Sequence, residues 1–309
     1  MGTSITTNYA GEHLGKLLSK VVTTNEMVEG NHIMVKDQIG SKFYLPRVEM
    51  SNVIQDASAT PTSGGTITHT ERALEPDAFD AYVEFNPESS KALWRPFQPT
   101  GPLVFHMLPP QVQYELTDEL WRQVAKYMGT AIFTGNKTSG TAPYNKFNGL
   151  VYKLDNDSDV LDVASPIALT EANIIDKLEL GWDQVPAEVR RDPNFKIFMS
   201  DTSLHLYFRR VTDMSLNKGS DPTTLPAARF WNKPIVPLVG FPDDAFLMTY
   251  SSFDETSNLW LGVDWQYQDF TQNIRVDRVQ LNSEMYFMKM KMKADTQIKW
   301  GEHCVWYKA

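Results

Sequence analysis

The chain has 309 residues, 42% of them hydrophobic and 22% charged, a balance that supports a sizeable folded core and does not suit a disordered chain. A formal net charge of −9 speaks against tight binding along nucleic acid phosphates, which rests on Lys and Arg, and against a surface that needs anionic lipid. Cys304 is the only cysteine, so a disulfide framework and a multi-cysteine zinc site are excluded; the absence of an 18-residue apolar run and the polar stretch from Met1 to Ala10 predict neither a spanning helix nor a signal peptide.

Residues 1–45 do not read as a self-contained unit. A short helix is predicted over 11–22, with Leu14, Leu17, Leu18 and Val21 on one side, weakened by two glycines. A strand pair is predicted between Asn31 and Pro46, through Ile33 and Val35 and then Phe43 and Leu45. Residues 56–65 form a polar, glycine-rich tip, and the alternation from Thr66 to Glu71 reads as a strand leaving it. The pattern is a long two-stranded excursion, which is marginal in water unless it lies on a partner. Residues 86–115 hold Pro87, Pro96, Pro99, Pro102, Pro109 and Pro110, a density that predicts an irregular connection anchored by Trp94 and Phe97.

Residues 116–134 give the clearest helix, with Leu116, Leu120, Val124, Tyr127 or Met128, and Ala131 at helical spacing and Gly135-Asn136 as the stop. Tyr144 to Tyr152 reads as turn and strand. A second helix is predicted from near Thr170, with Ile174, Ile175, Leu178 and Trp182 inward and Gly181 as a weak spot. Phe195 to Met199 reads as a buried strand, followed by a short helix from Leu204 to Val211 capped within Asp201 to Ser203. A polar surface loop over 215–229 precedes strands at 234–239, 246–250 and 259–265. The last long strand is the best patterned. Tyr286, Met288, Met290, Met292 and Ala294 alternate with Lys289, Lys291 and Lys293, which predicts one buried and one basic face. A short strand closes the chain near Cys304 to Tyr307.

Motifs for catalysis are absent. There is no Gly-x-Ser-x-Gly elbow, no phosphate-binding glycine loop and no dinucleotide fingerprint. His13, His32, His69, His106, His205 and His303 are scattered, with no two within ten residues. The run from Asp155 to Asp162 alternates carboxylates like a calcium loop, but Val160 stands where that loop needs glycine and Pro166 where it needs glutamate, so a solvated acidic turn is expected. Glu71, Glu75 and Asp77 read as surface charge, and Cys304 as a buried thiol. No enzyme activity, metal or cofactor is expected.

The order of these elements resembles the major capsid proteins of tailed double-stranded DNA phages, the HK97-like fold. The resemblance is carried by Asn8 to Leu14, by the strand from Glu71 to Asn86, by the helix from Leu116 to Asn136 with its Ala-Ile-Phe-Thr-Gly-Asn end, and by Asn148 to Val151. It continues through the strand-then-helix unit from Lys196 to Leu204, where Ser200-Asp201 departs from the usual Asn-Pro, through Lys233 to Leu238, and through the closing strand at 285–294. The resemblance implies an α+β fold with an N-terminal arm (1–50), an extended β-hairpin loop (51–85), a peripheral domain with a long spine helix (86–165 and 270–309) and an axial domain (166–269). It implies a subunit that assembles in the host cytoplasm into pentamers and hexamers of a virion head. That head would enclose double-stranded DNA, with portal, scaffolding and cement proteins as further partners and no membrane. Candidate contacts with neighbouring subunits or the lumen are Leu14, Leu17, Leu18, Phe43, Ile67, Lys289, Lys291 and Lys293. Some members of this family crosslink through a lysine on the extended loop; no lysine lies between Val53 and Glu71, so no crosslink is expected. An arm that begins almost at Met1 also makes cleavage of an N-terminal segment unexpected. Three alternatives remain: an encapsulin-like shell around protein cargo, a tail or baseplate protein without a long spine helix, and an enzyme whose convergent groups the sequence does not name.

Overall fold

A strand with core residues on both of its faces must be covered on both sides, and two neighbouring strands of this kind run through the middle of one sheet. The computed structural model describes residues 26–57, 60, 64–87, 110–139, 141–217, 228–264, 274–280 and 285–309. Strands β6 (Phe195–Met199) and β9 (Ala245–Tyr250) lie side by side in a six-stranded sheet. Its order is β5 (Leu161–Asp162), β13 (Val305–Lys308), β9, β6, β8 (Lys233–Pro237) and β7 (Arg229–Phe230). Alternate residues serve different cores. Phe198, Leu247, Cys304 and Trp306 enter one cluster, while Ile197, Met199, Phe246, Met248, Val305 and Tyr307 enter the other.

The second cluster is closed by three helices. Ile174 and Leu178 come from α4 (Ile174–Gln184), Val189 from α5 (Ala187–Arg191), and Leu204 and Tyr207 from α6 (Asp201–Asn217). The spacing predicted for α4 is observed, but its first turn is a turn at 171–173. Helix α6 is longer than the short segment predicted. Its cap is Ser200, whose Oγ accepts the Ser203 N–H at 3.1 Å.

The first cluster lies under a five-stranded sheet in which β12 (Tyr286–Ile298) pairs with β4 (Asp77–Phe85) along one edge. Strands β11 (Ile274–Arg278) and β10 (Leu259–Val263) share its other edge. The predicted alternation holds. Met288, Met290, Met292 and Ala294 are buried against α2 (Pro110–Thr134) and α3 (Leu150–Asp155), with Trp121, Val124, Met128 and Ala131 from α2. Each large side chain so buried contributes about 1.5–3 kcal/mol.

Three expectations are corrected. Helix α2 begins at Pro110 inside the proline-rich stretch, because a proline in the first turn lacks only an N–H that the helix leaves unpaired in any case. Residues 150–152 are helical, not strand; α3 starts where the Gly149 N–H donates to the Gly135 carbonyl at 2.8 Å, folding the chain back on the end of α2. The strand pair between Asn31 and Pro46 does not form. Instead β1 (Met34–Lys36) runs parallel to β10, and β2 (Phe43–Ser51) pairs with β3 (Thr66–Leu74). Residues 26–45 thus find within the chain the packing that their sequence demands. Met27 of α1 (Glu26–Glu29) and Ile33 are fully buried. The predicted helix over 11–22, the anchors Trp94 and Phe97, and most of the predicted loop over 215–229 lie outside the described residues.

Candidate functional site

Strands β2 and β3 form a two-stranded sheet of their own, in register from Phe43 opposite Leu74 to Ser51 opposite Thr66. The hairpin has two halves of different character. Residues 48–51 and 66–71 are exposed throughout, whereas Leu45, Arg47 and Leu74 are buried. Residues directly opposite one another share a face. Met50 lies opposite Ile67 and Val48 opposite His69, so one face of the distal half carries Val48, Met50 and Ile67, 48%, 61% and 55% exposed. The other face carries Glu49, Ser51, Thr66 and Thr68. Val53 and Ile54 extend the exposed apolar surface toward the tip, Ile54 at 94%.

The root is built to hold this excursion at a set angle. Leu74 covers Gly262 of β10, where a Cβ would lie 2.6 Å from Leu74 Cδ2. Gln297 Nε2 donates to the Ala73 carbonyl at 2.6 Å, and the Glu75 N–H donates to Asp295 Oδ2 at 2.9 Å. The Arg72 guanidinium donates to Asp157 Oδ2, to Asp159 Oδ2 at 3.0 Å and to the Ile298 carbonyl at 3.3 Å. On the facing strand, Arg47 lies 4.3 Å above the Trp300 ring and 3.5 Å from Glu302. Its Nε is buried without a hydrogen-bond partner among the described residues. Lys42 pairs with Glu75, and Lys137 Nζ lies 2.7 Å from Asp77, just after the bend.

The acidic run at 155–162 is largely exposed, as expected of a solvated turn, but three of its carboxylates also have partners within the chain. Asp157 and Asp159 clamp Arg72, while Asp155 accepts from Trp306 Nε1 at 2.8 Å and from Lys308 Nζ at 2.5 Å. Sequence reasoning missed Arg47, Arg72, Asp295 and Trp300. The carboxylate run was the one visible signal, and nothing in it names the arginine that it receives.

The predicted contact residues separate into groups. Leu14, Leu17 and Leu18 lie outside the described residues. Ile67 is on the exposed apolar face of the hairpin. Phe43 is half-buried and stacks on Trp260 at 6.4 Å between ring centroids, with Lys36 Nζ over the Phe43 ring at 5.2 Å from its centroid. The lysine stripe is largely neutralised within the chain. Lys289 Nζ is 2.7 Å from Asp80, and Lys293 Nζ is 2.6 Å from Asp264 and 2.8 Å from the Gly40 carbonyl. Lys291 is exposed and has no carboxylate partner among the described residues.

The chemistry elsewhere is structural. Burial pushes the Cys304 thiol up to about 12, and it receives a hydrogen bond from Asn258 Nδ2 at 3.2 Å. Burial, and then the charge of Lys196, lower His32 to about 4, so that its Nδ1 accepts from Lys196 Nζ at 2.8 Å at neutral pH. Among the described residues no group of three metal-ligating side chains converges, and no helix is long and apolar enough to cross a membrane.

No protein-family model matches the chain, and no curated protein matches it. Solved structures do. A chain of the satellite phage P4 procapsid, a structure that includes the size determination (Sid) protein, aligns with a TM-score of 0.55 at 14% identity, covering 95% of this chain and 98% of that one. A chain of the virus-like particle from Pyrococcus furiosus aligns with a TM-score of 0.54 at 9% identity, covering 96% and 98%. The capsid of the empty GTA particle aligns with a TM-score of 0.57 at 12% identity, covering 100% and 95%. Identities this low establish a shared fold. It is the mixed helix-and-sheet fold of those capsid and virus-like-particle chains.

Proposed function

We propose that the chain is a structural subunit that assembles with copies of itself into a closed shell, the head of a tailed phage built from pentamers and hexamers around double-stranded DNA. One observation carries this reading. The hairpin is anchored by buried groups at its root, yet its distal half exposes Val48, Met50 and Ile67 on one face with nothing in the described chain to cover them. A second copy is the partner that closed symmetry supplies. Burying three such side chains contributes on the order of 1–2 kcal/mol apiece, and a shell repeats that gain at every subunit.

The role in this reading is mechanical, with no catalytic step. The arm, extended loop, peripheral and axial divisions at 1–50, 51–85, 86–165 with 270–309, and 166–269 belong to the same proposal. So do portal, scaffolding and cement partners and a place in the virion. The long helix α2 weighs against a tail or baseplate protein. An encapsulin-like shell around protein cargo is the second reading. It is favoured by the ion pairs of Lys289 and Lys293, which leave little free positive charge on that sheet face for phosphate.

Electron microscopy of the native assembly, with nucleic acid read by absorbance, tests both. A shell with five-fold and six-fold capsomers containing double-stranded DNA supports the phage head. A shell with protein inside supports the second reading, and a monomer, ring or tube rejects both.

A further inference from the structure

Strand β3 leaves the hairpin at Leu74, and the chain bends through Glu75 and Pro76 before entering β4 at Asp77. A single side chain from the main sheet holds that bend. Asp295 of β12 is 5% exposed; its Oδ2 accepts the Glu75 N–H at 2.9 Å, and its Oδ1 lies 3.7 Å from Lys153 Nζ of α3. Pro76 has no N–H, so the Glu75 amide is the donor that the bend can offer there. A buried carboxylate that meets only the Glu75 and Thr296 amides and an ammonium 3.7 Å away is still undercompensated, because removing a charge from water costs more than such partners return.

We infer that Asp295 makes the bend at the hairpin root a pH-sensitive hinge, closed when the carboxyl is protonated and loosened when it is ionised. The inference concerns the hairpin used in the proposed function, but it is read on a single subunit, so shell formation and hinge behaviour fail independently.

The sign follows from linkage. Burial raises Asp295 to about 6, against 3.8 for a hydrated aspartate. The charge of Lys153 and the amides of Glu75 and Thr296 act the other way, and Asp77 adds a further push upward. Lys137 faces this group from beyond α2 and is occupied by Asp77, while the Glu75 side chain is occupied by Lys42. A carboxyl whose closed-state affinity for protons exceeds that of its hydrated state binds protons preferentially in the closed state. Closure is then favoured below about pH 4 and progressively lost as pH rises through about 6. A two-unit difference corresponds to about a hundred-fold change in the opening equilibrium when the open bend fully hydrates the carboxylate. The other root contacts, Arg72 with Asp157 and Leu74 over Gly262, keep the hairpin attached while the bend opens.

The test is amide hydrogen exchange of the full-length unassembled subunit, followed at the Glu75 amide from pH 5 to pH 8 and expressed as protection factors to remove the intrinsic pH dependence. Wild-type protection at Glu75 is expected to fall by about ten-fold across that range, while the Met290 amide in the core stays level. Asp295→Asn, which keeps the shape without the charge, is expected to abolish the fall and hold high protection at pH 8. A flat wild-type profile overturns the inference without any variant, as does a fall that persists unchanged in Asp295→Asn.

Discussion

Replacing Arg72 with methionine removes the guanidinium from the hairpin root and keeps most of its aliphatic stem. The cost follows from what stays behind. The Arg72 and Asp157 side chains are 16% and 14% exposed, so the pair is neither a surface contact nor a fully buried one. Exposed ion pairs are worth about 0–1 kcal/mol, and breaking a buried pair costs about 3–5 kcal/mol because a charge is left unmatched. Asp159, 48% exposed, is rehydrated readily and adds little. Arg72→Met is therefore expected to destabilise the subunit by about 2–3 kcal/mol. Urea unfolding at pH 7 reads this as a lower midpoint at an unchanged slope. Asp157→Asn in the same background should recover about half of the loss, since the stranded carboxylate is its main source. A loss below about 0.5 kcal/mol, or a double variant no more stable than Arg72→Met, would refute the reasoning that the acidic turn clamps the root.

Serine at Val48, Met50 and Ile67 together should change subunit stability by less than about 1 kcal/mol, because these side chains already meet water, yet it should suppress assembly seen by light scattering. Equal loss of folding and assembly would place the stripe inside the subunit's own core. Gly181→Ala gains about 1 kcal/mol of helix propensity, but its Cβ would lie 2.8 Å from the ring of Phe246, which is stacked on Tyr307 and cannot yield; a net loss of about 1–2 kcal/mol in thermal unfolding is expected. Met290→Asp puts a carboxylate at a fully buried position of β12 and should yield insoluble or unfolded chain, whereas a folded soluble variant on circular dichroism would invert the assigned face. Cys304, buried with its thiol pushed up to about 12, should resist a thiol reagent at pH 8 until denaturant is added; rapid labelling of the native chain would contradict that burial.

Much of the secondary structure was legible because periodicity records which face of an element is covered, whatever covers it. The alternation through Met288, Met290 and Met292 reappears as burial, and the mainly apolar runs at 195–199 and 246–250, each interrupted once by Lys196 or Thr249, reappear as strands between two cores. The start of α2 was obscured because proline density resembles a loop, although a proline in a first turn breaks no hydrogen bond. The two-stranded excursion could be read from its glycine-rich tip and alternating flank, including the exposed Ile67.

Pairing partners were decided only by the folded chain. The segment at 31–46 has strand composition, but that composition does not choose between a neighbour ten residues away and strand β10 far along the sequence; closure around α2 and β12 chose β10. The charges behave in the same way. Lys289 and Lys293 form a basic stripe when read along one strand, and become part of a nearly neutral face once Asp80 and Asp264 arrive from other segments. Arg72 meets Asp157 across 85 residues of sequence, and Asp295 meets the amide of Glu75 across 220. Local patterning sets burial residue by residue, because it depends on the geometry of one element. The compensation of charge, and with it the stiffness of the hairpin root, depends on groups that only tertiary packing brings within a few ångströms.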